Sequence, residues 1–219
     1  MQEVRIAEAV RRILGTLPAG VTLVAAAKGR AVEQVRAAIG AGVAHVGHNY
    51  LQDAEAMIPL IPEGVTWHMI GHLQTNKAKK AVELFDMIET VDSWRLAQEI
   101  DRRCAAAGTT MPVLVEVNSG REANKTGVLP EDVDELVGQL SQLPYIRVQG
   151  LMTMGPRSGD PQDARPYFQA TRTAFERLAR APMPNVEMRY LSMGMSNSYR
   201  VAIEEGANVV RIGTLLFGK

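Results

Sequence analysis

Lys28 ends the short apolar run Val21-Thr-Leu-Val-Ala-Ala-Ala, which Gly20 opens and Gly29 closes. The run is too short for a typical helix, so a buried strand is predicted, with the amine at its C-terminal end. In an α/β barrel that end faces the active site. A lysine held there against apolar walls has its charged form disfavoured, and its neutral amine is free for imine chemistry. A lone lysine after a strand is more often a solvated surface charge, so the reading depends on what else reaches the same face. Two clusters stand out near the C-terminus: Ser192-Met193-Gly194-Met195-Ser196 and Gly213-Thr214. Glycine lets a backbone approach an anion, hydroxyls donate to it, and a following helix adds free N–H groups and a favourable dipole. Such residues also make ordinary turns before helices.

Placing these groups requires the elements between them. Ile6, Val10, Ile13, Leu14 and Leu17 recur at helical spacing before Pro18 and Gly20, predicting an N-terminal amphipathic helix that caps the barrel floor. After Lys28, Val32, Val35 and Ile39 give a helix ended by Gly40 and Gly42. Strands are predicted at 44–47, 65–70, 86–91, 113–117, 146–152, 186–191 and 208–212, with helices at 49–58, 75–85, 93–107, 162–180 and 197–205. Pro130 with Glu131 and Asp132 marks one more helix start, where a missing donor and acidic side chains suit the first turn. Residues 155–162 read as a loop rich in glycine and proline. Eight strands alternating with helices, without internal repeat or linker, predict one (β/α)8 barrel domain over residues 1–219. An open doubly wound sheet is the alternative, but its Gly-x-Gly-x-x-Gly fingerprint is absent after the first strand.

Composition narrows the partners. Lysine plus arginine number 24 and aspartate plus glutamate 24, so no overall field attracts nucleic acid or anionic lipid. The lone Cys104 shares a helix face with Leu96 and Ile100 and is expected to be a core filler in a reducing compartment. Glu3 and Glu8 interrupt the apolar N-terminus, so neither a signal peptide nor a membrane span is expected and the chain is read as cytoplasmic. His68 and His72 have a spacing that aligns two metal ligands only on a helix, whereas this stretch reads as strand running into loop, so no metal is assigned. Lys77, Lys79 and Lys80 lack aromatic stacking partners and read as a solvated helix face. Met152, Met154, Met193 and Met195 could line a pocket or simply pack.

On the barrel reading, the residues just after the strands converge on one face: Lys28, His48 and Asn49, His72, Asp92, Asn118, Thr153, the Ser192–Ser196 cluster, and Gly213 with Thr214. Barrels commonly bind phosphate behind strands seven and eight, where the two glycine clusters fall. A strand-end lysine opposite a phosphate site fits a Schiff-base aldolase on a sugar phosphate or a protein that binds pyridoxal 5'-phosphate (PLP).

Seven stretches, spread over nearly the whole chain, resemble a known family. They are Leu23-Val-Ala-Ala-Ala-Lys28, Gly47-His-Asn-Tyr-Leu-Gln52, Trp67-His-Met-Ile-Gly-His-Leu-Gln-Thr-Asn-Lys77, Val91-Asp-Ser93, Gly150-Leu-Met-Thr-Met154, Leu191-Ser-Met-Gly-Met-Ser196 and Val210-Arg-Ile-Gly-Thr-Leu-Leu-Phe-Gly218. Together they are similar to the PLP homeostasis proteins, whose barrel is like the N-terminal domain of alanine racemase. The resemblance implies that Lys28 holds PLP as an aldimine, that Asn49 neighbours the ring, and that Ser192, Met193 and Gly194 with Gly213 and Thr214 cradle the phosphate. His72 and Met152 complete the implied binding set. Arg211 matches the arginine that faces the pyridine nitrogen. Arginine only donates, so it keeps that nitrogen unprotonated and weakens the ring as an electron sink.

The implied function is holding, buffering or delivering PLP inside the cell as a non-catalytic monomer, with amino acids and apo-enzymes as further partners. The alternative is a racemase-like enzyme on amino acids, which needs a second acid or base opposite Lys28. No strand-end tyrosine or cysteine is expected in that place, leaving His48 and His72 by elimination. Three positions depart from the family. His48 replaces a glutamate, which places a titratable hydrogen-bonding ring near the cofactor mouth, and Ser198 stands where an acid is common. Gly29 follows Lys28 in place of a bulkier residue, an exchange expected to loosen the strand end.

Overall fold

The computed structural model describes residues 1–156 and 159–218, so Arg157 and Ser158 of the expected 155–162 loop lie outside the described residues. Eight parallel strands close into a barrel in chain order: β1 (Thr22–Ala26), β2 (His45–His48), β3 (Thr66–Met69), β4 (Met87–Val91), β5 (Met111–Val117), β6 (Ile146–Thr153), β7 (Val186–Ser192) and β8 (Val209–Ile212). Closure is by β1 on β8, with Val24 beside Arg211 and Ala25 beside Ile212. Every strand lies within two residues of its expected position.

The strands alternate between two environments, because successive side chains point to opposite faces. Leu23 and Ala25 join the large apolar cluster between barrel and helices, whereas Val24 packs with Ile70 and Val209 in a small separate cluster. Met87, Leu114 and Met152 form another such cluster. These two small clusters fill the barrel interior. By the same alternation Val210 and Ile212 face outward and Arg211 faces in.

The outer helices are α1 (Gln2–Leu14), α2 (Val32–Gly40), α3 (Leu51–Met57), α4 (Ala78–Leu84), α5 (Trp94–Ala107), α6 (Val133–Leu140), α7 (Arg165–Ala179), α8 (Tyr199–Glu204) and α9 (Thr214–Phe217). Several are shorter than their periodicity implies. The expected helix at 75–85 starts as a 3-10 turn at Thr75–Lys77, and that at 162–180 is preceded by one at Pro161–Ala164 before Pro166 opens α7. Helix α6 begins three residues beyond Pro130, with Asp132 at its N-cap. Asn49 and Asn197 stay outside α3 and α8, which leaves both in loops at the barrel mouth.

α1 does not cap the floor. It packs against α2 and α9, in the outer ring beside the strands that close the barrel. The physical reason is the brevity of α9, four residues that cannot cover the apolar outer face of β8 and β1. Ile6, Val10 and Ile13 supply the missing surface. Cys104 is buried in α5 as a core residue, and burial pushes its thiol up to about 11.

Candidate functional site

A cavity of about 530 Å³ opens at the C-terminal ends of the strands. Lys28 reaches it from a turn in which the Arg30 N–H donates to the Ala27 carbonyl at 3.1 Å. Gly29 occupies the left-handed position of that turn, at φ 64°, where a bulkier residue would be strained. The glycine therefore tightens the strand end, contrary to the expected loosening. Lys28 is exposed, not walled in by apolar groups, and its Nζ lies 5.1 Å from the centroid of the Tyr50 ring. A cation over an aromatic face is a weak orienting contact.

Asn49, Tyr50, His72, Glu116, Lys125, Met154 and Met195 share that cavity. Asn49 reaches it because Gly71 has no side chain: a Cβ there would stand 2.2 Å from the Asn49 carbonyl oxygen. His72 is half exposed with Nδ1 3.6 Å from Asp92 Oδ2. Tyr50, two residues beyond β2, brings a tyrosine into the cavity with Lys28, where the sequence offered no strand-end tyrosine as the opposing acid or base. Asn118 is engaged in holding its own loop, donating to the Glu122 carbonyl and accepting from the Glu122 N–H.

Beneath the cavity the barrel interior carries a polar chain. His45 Nδ1 and His68 Nε2 are 3.0 Å apart, and His68 Nδ1 lies 2.7 Å from Glu89 Oε1. Ser192 Oγ donates to Glu89 Oε2 at 2.6 Å and accepts from Arg211 Nη1 at 2.5 Å. Arg211 Nη2 donates to the Thr153 carbonyl at 2.8 Å. Burial alone would raise the Glu89 carboxyl, but the His68 hydrogen bond, Arg211 and Ser192 outweigh it and hold Glu89 below its ordinary value. Burial draws Arg211 down, opposed by Glu89 and Glu116.

This chain reassigns Ser192. As the last residue of β7 it points inward and is fully buried, and its hydroxyl is committed to Glu89 and Arg211. A phosphate outside cannot use it. Met193 packs in the outer apolar cluster and Met152 in the interior, neither of them lining the cavity. Gly194 packs against α8, where a Cβ would stand 2.6 Å from that of Ala202. Gly213 is half-buried beside the Ala26 carbonyl, and Thr214 is exposed. Ser196 Oγ accepts from the Leu215 N–H at 3.3 Å, tying the loop after β7 to the start of α9. Among the described residues, the N–H groups of Ser196, Asn197, Gly213 and Thr214 have no protein acceptor.

His48 is neither at the mouth nor hydrogen-bonded. It is fully buried outside the barrel, stacked on Trp67 at 5.7 Å, and neither ring nitrogen has a partner. Burial lowers its pKa to about 4, so the ring is neutral. Glu116 shows the opposite response: burial, with Asp92 adding to it, raises its carboxyl to about 7 despite a 3.0 Å hydrogen bond from Thr126. Its second oxygen has no partner. Glu89, Glu116 and Tyr50 are the site residues missed in the sequence. The signal was present for two of them, since Ile88-Glu89-Thr90 and Val115-Glu116-Val117 each place a carboxyl inside an apolar strand. No group of three metal-ligating side chains occurs among the described residues, and no helix among them is long and apolar enough to cross a membrane.

The chain matches the family described as alanine racemase, N-terminal domain, over residues 4–219. It is 42% identical over 201 residues to the pyridoxal phosphate homeostasis protein of Aquifex aeolicus, covering 90% of this chain and 86% of that protein. The protein belongs to the pyridoxal phosphate homeostasis family. PipY from Synechococcus elongatus, solved without PLP, superposes with a TM-score of 0.91 at 37% identity, covering 97% of this chain and all of that one. PipY has also been solved with PLP bound, with a TM-score of 0.88 at 36% identity. Alanine racemase of Clostridium difficile shares the fold, with a TM-score of 0.79 at 17% identity over 98% of this chain and 56% of that enzyme.

Proposed function

We propose that this protein binds PLP at Lys28 and holds, buffers or delivers it to apo-enzymes, without turning over a substrate of its own. The reading is carried by a strand-end lysine in the cavity at the barrel mouth, with the buried, donor-only Arg211 in the barrel interior on the neighbouring strand, together with the family membership. When bound, PLP supplies an aldehyde that condenses with amines and a pyridine ring that withdraws electrons. The residues present fit such a group. Arg211 has five N–H donors, two of which are taken by Ser192 and Thr153. The remainder suit an unprotonated ring nitrogen. Ser196, Gly213 and Thr214, with their free N–H groups, suit the phosphate, displacing Ser192 from that role.

Arg211 also argues for binding over turnover. A ring nitrogen that accepts from a guanidinium stays unprotonated and withdraws electrons weakly, which disfavours loss of a proton from an amino acid. The racemase-like reading relies on Tyr50, His72 and Glu116, three of the titratable groups that share the cavity with Lys28. The direct test of binding is to load the protein with PLP, reduce with borohydride and map the adduct by mass spectrometry. Attachment at Lys28, lost in Lys28→Ala, is expected. A colourless protein or an adduct elsewhere refutes the assignment.

A further inference from the structure

Glu89 has no contact with the cavity, yet it stands at the centre of the buried chain, with one oxygen on His68 and the other on Ser192. Its second oxygen lies 3.7 Å from Arg211 Nη1, and both side chains are buried. A guanidinium in such surroundings needs a counter-charge, and a long side chain needs several contacts to keep one orientation. Glu116 also acts on Arg211, but makes no hydrogen bond to it. Glu89 is therefore the counter-ion, and Ser192 transmits its position to the guanidinium. With Glu89 ionised, His68 Nδ1 must donate to it, and the far nitrogen of His68 is held by His45. Each link comes from a different strand: β2, β3, β4, β7 and β8.

We propose that Glu89 is a positioning residue for the cofactor: acting through Ser192, with His68 and His45 behind it, it fixes Arg211 as the donor to the ring nitrogen of bound PLP. The proposal rests on the PLP reading. It makes a prediction that a general structural role does not, because the effect of Glu89 must vanish when the ligand has no ring nitrogen to accept from Arg211.

The experiment compares PLP with its 1-deaza analogue, in which CH replaces the ring nitrogen, on wild-type protein and on Glu89→Gln. The variant is expected to weaken PLP roughly tenfold while changing the analogue less than about twofold. In the cofactor-free protein the NMR signal of the Arg211 Nε–H should sharpen on cooling in the wild type and stay exchange-broadened in Glu89→Gln. Ser192→Ala, which removes the bridge and leaves the charge, serves if Glu89→Gln does not fold, and is expected to show the same ligand selectivity. Equal losses for both ligands, or no loss for either, overturn the proposal. Failure of the wild type to take up PLP defeats the parent reading instead, and the Arg211 signal still decides whether Glu89 fixes the guanidinium.

Discussion

His48 and Glu116 should give the cofactor-free protein two opposed pH dependences of nearly equal size. The folded pKa of His48 is lowered from 6.5 to about 4 by burial. Its contribution to stability is present above 6.5 and lost as pH falls toward 4, because the unfolded chain takes up the proton first. The folded pKa of Glu116 is raised from 4.5 to about 7. Its contribution is present below 4.5 and lost as pH rises through 7. Between about pH 7 and pH 5 the linkage relation makes each worth about 2 kcal/mol, one falling and one rising. The wild type should therefore change little on their account, and each becomes visible when it is removed. His48→Leu should gain about 2 kcal/mol relative to wild type on going from pH 7 to pH 5, and Glu116→Gln should lose about as much. Urea unfolding of the cofactor-free proteins at the two pH values measures both. Parallel pH profiles for His48→Leu and wild type would refute the argument, as would a His48 ring that titrates near its ordinary value in the folded protein.

Three further outcomes are expected. Thr214→Val and Ser196→Ala should each weaken PLP by about 1–2 kcal/mol but leave pyridoxal, which lacks the phosphate, unaffected in equilibrium dialysis; equal loss for both ligands would move the phosphate elsewhere. Gly71→Ala should cost about 3 kcal/mol in urea unfolding and reduce PLP retention, because its Cβ meets the Asn49 carbonyl. A stability change under 1 kcal/mol would show that the mouth can yield. Alanine incubated with the loaded protein in deuterated water should gain α-deuterium no faster than with free PLP by NMR. Faster uptake that depends on Lys28 would reinstate the enzyme reading and make Tyr50, His72 and Glu116 the first residues to replace.

The order of strands and helices, the barrel and the position of Lys28 were legible because each depends on local periodicity: apolar runs bounded by glycine and proline predict strands, and spacing at three and four predicts helices. Lys28, Asn49 and His72 do share the cavity, as their places after three strands imply. What local pattern could not decide was parity and partnership. His45 and His48 stand three residues apart on one strand, and the period of two sends His45 into the polar interior and His48 against Trp67 in the outer layer. Ser192 was read as a loop hydroxyl, but one more residue of β7 turns it inward to Glu89, which lies 103 positions away. The contacts among His45, His68, Glu89, Ser192 and Arg211 join five strands, and only closure of the barrel brings them within hydrogen-bond reach. The sequence by itself determined the order of the strands and which polar residues stand at their ends. The tertiary structure decided which of them face one another, because burial and charge pairing depend on neighbours that the chain supplies from far along its length.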